Sequence, residues 1–405
     1  MFSLISIAKK CPFLLWINSK LKSMQTKHDL ARLARNYKFK AADRTFVYSI
    51  EEAVEEFKYR HRNLCPSFIP RVRGELRVFW VGADRSQDEC GYLQALHRVC
   101  KTTIFHNTYG KYGLWYGSSG FAGGPNFEEI RKANDDALLY QIGLAQAHGR
   151  IDIMIGQMWA HLISKEALAM VQKMGIPIIC IAMDDRLPIH WGYRNELRLG
   201  SIGLAPSLDM VLTTTAEACL WYGLEGCPSM FWPLGSDAEL FAPIQVERDI
   251  KVLFIGNRYG VRGAIIDYLA KHGIEVTCYG AGWPNGSVNS KQLAALHKRA
   301  LIILGVGTVG HCSDIYTLKL RDFDAAMSGS LYLTHRNPDL CNLFREGEEI
   351  ECYETPKEAR DKIYYYLNHE IEREQIGQQG RLKALAKFTW DERLICTFRQ
   401  LGLLC

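Results

Sequence analysis

Short apolar runs recur along most of the chain, each followed by a small-residue turn and then by apolar positions spaced three or four apart. LRVFWVGAD (Leu76–Asp84) reads as a strand, and Tyr92, Leu93, Leu96 and Val99 place a helix at about 87–99. KTTIFH is a second strand, followed by a Gly- and Tyr-rich loop over 107–125 and a helix from Asn126 to about His148. IDIMIGQ, PIICIAM, DMVLTTT and SMFWPL continue the series, with helices predicted near 164–174, near 194–199 and after Thr215. The pattern restarts at Asp249. KVLFIG, EVTCYG, ALIILG, SLYLT and EIECYE read as strands, and helices are predicted at 264–271, 292–299, 318–328, 339–344 and from 355 to the end.

Apolar strands alternating with helices predict an α/β protein in which parallel sheets are covered on both faces. Two such doubly wound units follow one another, one over 71–241 and one over 249–388. Residues 241–249, which hold Pro243 and show no clear period, link them, and 389–405 form a terminal helix. A length of 405 residues suits two or three domains. In such sheets ligands bind at the carboxyl ends of the strands, so the loops that leave each strand carry the candidate chemistry.

Composition is ordinary for a globular protein, with 48% apolar and 23% charged residues. The net charge of +5 is concentrated at one end. Residues 1–40 hold nine Lys or Arg and one acid, Asp29, so the rest of the chain is slightly acidic. Nucleic acid is therefore not an expected partner. The basic extension, 1–70, contains FSLISIA and CPFLLWI, but Lys9 and Lys10 divide them, and neither reaches the length of a spanning helix. It reads either as an interfacial anchor on an anionic membrane, through Phe2, Leu4, Ile5, Phe13, Leu14 and Trp16, or as an extension that is partly disordered or packed on the body. Thirteen widely spaced cysteines without a CxxC read as reduced thiols in a cytoplasmic protein, with no zinc spacing.

FIGNRYGVRG places Arg258 and Arg262 beside Gly256 in a strand-to-helix turn, a setting that attracts phosphate. Gly305-Val306-Gly307-Thr308-Val309-Gly310 follows a strand. No helix begins at its glycines, and no strand-end acid lies about 20 residues on, so a flexible loop under a ligand is favoured over a nicotinamide fingerprint. Arg321 and Asp324 share a helix face near Lys319, where they can form a helical ion pair or meet a phosphate and a hydroxyl-rich group. Asp84, His106 and Asp185 each lie at or near the end of a strand run. Each is a candidate to orient or deprotonate a hydroxyl, and each could equally be a turn former or cap. No metal site is expected.

The block Leu320–Arg393 resembles the CgeB-like (spore maturation protein type) glycosyltransferases. It contains Arg321-x-Phe323-Asp324, Gly329 before SLYLT, and GQQGRLKALAKFTWDER. FIG with Arg262, CYGAGW (Cys278–Trp283) and FWPLGSDAELFAP extend the resemblance. The resemblance implies a GT-B fold, two facing Rossmann-like domains, in which the second holds a nucleotide-diphosphate sugar as substrate without cofactor or metal. It places the diphosphate at the 256–262 turn and the 305–311 loop bearing Gly307 and His311, with Gly280 and Trp283 among the donor-binding residues. Lys319 and Arg321 would supply positive charge, and Asp324 would contact ribose or sugar. It implies a carbohydrate, lipid-linked or protein acceptor and metal-independent transfer. The basic arm lies outside the resemblance, and its charge points to membrane contact through residues 1–25 at the cytoplasmic side. The sequence departs from the family pattern at Asp324, where Glu is usual, at Tyr316, where retaining members often carry Glu, and at Phe388-Thr389, where His-Thr is expected. These departures keep a second reading open, a catalytically inactive sugar- or nucleotide-binding protein of a surface-polymer or spore-coat assembly.

Overall fold

The computed structural model describes residues 12–82, 88–105, 127–187, 191–242 and 246–405. The chain divides into two compact units. The first comprises Tyr37–Asp185, Ile189–Ala242 and Leu382–Cys405; the second comprises residues up to Asn36, Arg186–Pro188 and Pro243–Arg381.

In chain order the elements begin with helices α1 (Pro12–Asp43) and α2 (Ile50–Leu64), both within the extension. Then come β1 (Arg77–Val81), α3 (Leu93–Val99), β2 (Lys101–Ile104), α4 (Phe127–Ala147), β3 (Ile153–Gly156), α5 (Lys165–Lys173) and β4 (Ile178–Ala182). A small hairpin, β5 (Tyr193–Arg194) and β6 (Leu197–Arg198), stands where the spacing predicts a helix over 194–199. The reason is local: Asn195 adopts a left-handed conformation at φ 53°, which suits a two-residue hairpin turn and cannot continue a right-handed helix. β7 (Met210–Thr213), α6 (Ala218–Leu224) and β8 (Ser229–Phe231) complete this half.

The first unit's sheet runs β2-β1-β3-β4-β7-β8, with every pairing parallel. Its four central strands, β1, β3, β4 and β7, are almost wholly buried, as the unbroken apolar runs require, while the edge strand β2 is partly exposed. Two buried aspartates fasten the strand entries. Asp152 accepts from Arg77 N at 2.9 Å and from Arg71 Nη2 at 2.9 Å, and Asp209 accepts from Ile178 N at 2.7 Å. The extension contributes Tyr37, which is 2% exposed, stacks on Trp221 at 5.6 Å and donates to Glu225 at 2.7 Å. The helix α2 starts at the Ser49 cap, whose hydroxyl accepts from Glu52 N.

In the second unit β9 (Ile250–Ile255), α7 (Arg262–Lys271), β10 (Thr277–Tyr279), α8 (Ser290–Arg299), β11 (Ala300–Leu304), α9 (Leu320–Ser328), β12 (Leu331–His335), α10 (Pro338–Cys341), β13 (Glu351–Tyr353) and α11 (Pro356–Asn368) follow in strict alternation. The long α12 (Glu370–Lys387) begins in this unit and ends in the other, and α13 (Trp390–Gln400) belongs to the first unit. The sheet order is β10-β9-β11-β12-β13, again all parallel. Its core packs Val252, Phe254, Ile302, Leu304 and Leu331 against Ile265, Leu269 and Ile363 of the helices. Helix starts are sequence-encoded: Asn289 and Gln292 form a capping box on α8, and Thr355 followed by Pro356 opens α11. Gly329, at φ 77°, terminates α9 in the left-handed conformation and turns the chain into β12.

Candidate functional site

In the second unit the strand order reverses between β9 and β11: the chain moves from β9 outward to β10, then back across to β11. A reversal of this kind leaves a crevice at the carboxyl edge, between the loops that leave the two central strands. Those loops are 256–261 and 305–317, the two Gly-bearing segments singled out in the sequence.

Gly256 is held where no side chain fits. A Cβ there would lie 2.3 Å from Arg321 Nη2 and 3.2 Å from Arg262 Nη1. Its carbonyl accepts from Trp283 Nε1 at 2.7 Å, and its N–H donates to Tyr279 O at 2.8 Å. At Gly280 a Cβ would sit 2.5 Å from the Gly256 carbonyl, so the turns after β9 and β10 meet backbone to backbone. Gly260 approaches the Gly310 carbonyl as closely, which brings the β9 and β11 loops together. The Gly307 carbonyl accepts from Thr317 N at 3.0 Å, and Val309 N donates to Ile315 O at 2.8 Å, so 307–317 folds back on itself.

The cations differ in their settings. Arg262 is 6% exposed; it donates to Asn257 O at 3.0 Å and lies 4.2 Å over the Tyr259 ring. Arg258 pairs with Asp267 and stacks 4.9 Å over Trp283, near solvent. Arg321, in the first turn of α9, sends Nε and Nη2 to the Ile255 carbonyl, the last residue of β9. Its Nη1 is buried and has no hydrogen-bond partner among the described residues. A guanidinium fixed by two of its nitrogens, with a third desolvated and unanswered, is a preorganised anion donor.

Lys319 precedes α9, and its N–H donates to Asp322 Oδ2 at 2.7 Å. Asp322 is buried and also accepts from Tyr332 OH; burial raises its pKa. Asp324 is 2% exposed on the same helix. The His311 ring is held through Nδ1 by Ser19 Oγ of α1 at 2.9 Å, and Lys27 of the same helix pairs with Asp314 at 2.7 Å. Burial and Lys22 lower the His311 pKa. The basic arm thus touches the very loop that bears a candidate ligand residue.

Further buried groups on these loops carry no obvious periodic signal in the sequence. Thr308 Oγ1, His335 Nδ1 and Asn337 Nδ2 are buried without a hydrogen-bond partner among the described residues. His335 ends β12, with Tyr316 and Tyr353 rings at 5.9 and 4.5 Å. Tyr353 OH donates to Gly305 O at 2.7 Å, tying β13 to the glycine loop. Arg186 donates to Tyr316 O at 2.7 Å and pairs with Asp339 at 2.8 Å. His335 is the one exposed by its position: a polar residue closing an apolar run, directly before Arg336-Asn337-Pro338.

Burial holds His335 neutral and lowers its pKa to about 4. Because the unfolded chain binds the proton near the ordinary value of about 6.5, the folded state loses stability as pH falls through the window from 6.5 to 4. Between pH 7 and pH 5 this one residue should account for about 2 kcal/mol. His335→Gln should flatten the fall in melting temperature over that range; an unchanged slope would remove His335 as a cause.

In the first unit Asp185 is 4% exposed, and both its oxygens accept hydrogen bonds, from Thr213 Oγ1 and from Tyr222 OH. Its carboxylate joins the ends of β4 and β7 to α6, in line with the structural one of the two roles the sequence leaves open for it. The preceding Asp184 is left-handed at φ 64°. Asp84 and His106 lie outside the described residues, as does the 107–125 loop.

A glycosyl transferase-like family model matches residues 262–397. No curated protein sequence matches the chain. Among solved structures the chain is similar to sucrose-phosphate synthase from Thermosynechococcus elongatus, at 12% identity over 80% of this chain and 99% of that one, with a TM-score of 0.57. It is also similar to a glycosyltransferase from Rickettsia africae, at 10% identity over 82% and 98% of the two chains with a TM-score of 0.55. The Anabaena protein Alr3699/HepE, solved with UDP-glucose, matches at 11% identity over 80% and 100%, with a TM-score of 0.53. The chain has the GT-B fold. GT-B accounts for both parallel Rossmann-like sheets, and the family match covers α7 to α13, including Arg262 and Arg321.

Proposed function

We propose that the protein is a glycosyltransferase that takes a sugar from a nucleotide-diphosphate donor held on the second unit and passes it to a hydroxyl acceptor. The observation that carries this reading is the buried, unanswered Nη1 of Arg321, a guanidinium whose Nη2 is packed against Gly256 at the switch point of the sheet. A diphosphate oxygen satisfies that donor, and as the donor bond breaks, charge gathers on the same diphosphate, where fixed cations stabilise it most. Gly307 leaves backbone accessible to the donor and Gly280 lets the β10 turn close against Gly256, with Arg262 and Lys319 adding positive charge and Asp324 facing the ribose or sugar. No cofactor or metal is assigned, since the nucleotide sugar is itself the substrate. Asp84 and His106 are the proposed groups for acceptor activation, and Asp185 positions the loop that follows β4. The solved relative named with UDP-glucose makes uridine donors the first to test.

A panel of nucleotide sugars in a thermal-shift assay tests the reading, because a bound donor stabilises the fold by mass action. A rise in melting temperature with at least one donor is expected; no shift with any would sink the assignment. A second reading, donor binding without transfer, draws on Tyr316, whose ring lies against His335 where related retaining enzymes often carry a carboxylate, and on the burial of Asp324. Release of sugar from a bound donor, even slowly and to water, would rule it out.

The acceptor class we propose is membrane-associated or carbohydrate, reached from the cytoplasmic side. No helix of the described residues is long and apolar enough to cross a membrane. Contact would instead run through residues 1–25 and the lysines of α1. Sedimentation with anionic vesicles should be lost on removing 1–25 and weakened by salt. Equal sedimentation of the full and shortened chains would end that part of the proposal.

A further inference from the structure

Outside the candidate anion site, two cysteines of the second unit stand face to face. Cys341 closes α10, and Cys352 is the middle residue of β13. Their sulfurs are 3.9 Å apart, Cys341 is partly exposed and Cys352 is fully buried. Glu346 lies close enough that the three side chains form one cluster, and Arg336 and Lys362 both pair with Glu346.

The two supports differ in stiffness. Cys352 is locked in the sheet, with Thr334 of β12 as its register partner. Cys341 sits on a single helical turn held by the Asn337 cap, by its own N–H to Asn337 O at 2.9 Å, and by the Asp339–Arg186 pair. A disulfide needs its sulfurs about 2.05 Å apart. Closing the gap therefore draws on a side-chain rotation at Cys341 and a displacement of α10, while β13 stays in place.

We propose that Cys341 and Cys352 are a redox modification site, closing to an intramolecular disulfide by exchange with a small-molecule disulfide and reopening with a thiol reductant. In the first step the Cys341 thiolate attacks one sulfur of the small disulfide, whose S–S bond breaks, and the departing thiolate takes up the proton that Cys341 gave up. Cys352 Sγ then attacks Cys341 Sγ, expels the second small thiolate and passes its proton to it. Two protein thiols are oxidised and one small disulfide is reduced to two thiols. The order follows from access, since only Cys341 can be reached from solvent. The surroundings favour it too: the contact with Cys352 lowers the Cys341 pKa, while the contact with Cys341 and burial hold Cys352 above its ordinary value. The site goes beyond the transferase reading and stands without it. It reaches the same loops because α10 carries Asn337 and Asp339, the latter tied to Arg186.

The test uses the full chain, incubated with glutathione disulfide, alkylated and digested with trypsin. Peptides 337–345 and 346–357 should appear mostly as one disulfide-linked pair, and dithiothreitol should separate them. Cys352→Ser should stop at a glutathione adduct on Cys341, and Cys341→Ser should leave Cys352 unmodified. Hydrogen exchange over 337–342 should change on oxidation of the wild type and in neither variant. Full alkylation of both cysteines after the oxidant, or a glutathione adduct that persists on wild-type Cys341, would overturn the proposal. So would added zinc that shields both thiols while no disulfide forms, which would make the cluster a metal site.

Discussion

Arg321→Ala should weaken binding of UDP and of UDP-sugars by about ten- to a hundredfold, the equivalent of about 1.5–3 kcal/mol for one hydrogen bond to a charged group. Two functions meet in this side chain. Nε and Nη2 hold the Ile255 carbonyl at the end of β9, and Nη1 is the buried donor left over. Lysine cannot replace both, because one ammonium on a flexible stem cannot grip the carbonyl and still present a second donor in a fixed direction. Arg321→Lys should therefore bind donor nearly as poorly as alanine while disturbing the fold less. Calorimetric titration of UDP checks the affinities, and melting temperature separates lost binding from lost folding. Wild-type affinity in a folded Arg321→Lys or Arg321→Ala protein would refute the donor site. The comparison with Arg258 sharpens the point. Arg258 already has Asp267 and Trp283 as company near solvent, so Arg258→Ala should cost far less.

The sheets were readable because strands buried on both faces must be apolar throughout, so runs such as VFWV and IICIA announce themselves. Loops at their carboxyl ends follow from topology, which points to Gly256 and Arg262, whereas Arg321 stands out by its helix-face spacing to Asp324 and by the resemblance. Tertiary partners were not readable. Nothing local to Asp185 shows that Thr213 and Tyr222 will enclose it, nor does anything near Arg258 show that Asp267, on the face of α7, will neutralise it. The spacing over 194–199 fits a helix, but one left-handed asparagine turns the chain into a hairpin there. The extension was read without elements, because α1 mixes lysines and apolar residues with no clean face; what anchors it is Tyr37 and Ser19, single residues with distant partners. Phe388-Thr389 shows how a family departure can be structural. Phe388 O accepts from Ser236 N at 2.8 Å, and Thr389 caps α13.

Trp390→Ala should destabilise the first unit by about 3–5 kcal/mol, the usual loss when a large buried aromatic leaves a cavity. Trp390 is 1% exposed and lies edge-on to Tyr92 at 4.8 Å, with Trp232 at 5.8 Å on another side. Tyr92 in turn packs on Trp80 of β1 at 4.8 Å, so a residue near the end of the chain completes a core whose other walls come from the start of the first sheet. The backbone around it is committed too: Trp390 N donates to Ser236 O at 3.0 Å, and a Cβ on Gly235 would press on the indole at 3.0 Å. Collapse into the void is opposed on each of these sides, so little of the loss should be recovered by relaxation. Scanning calorimetry should show the transition of the first unit lowered by roughly 10 °C. Trp390→Phe, which keeps most of the volume, should lose much less. A shift of only a degree or two in Trp390→Ala would mean that α13 is an appendage on the first unit, not part of its core.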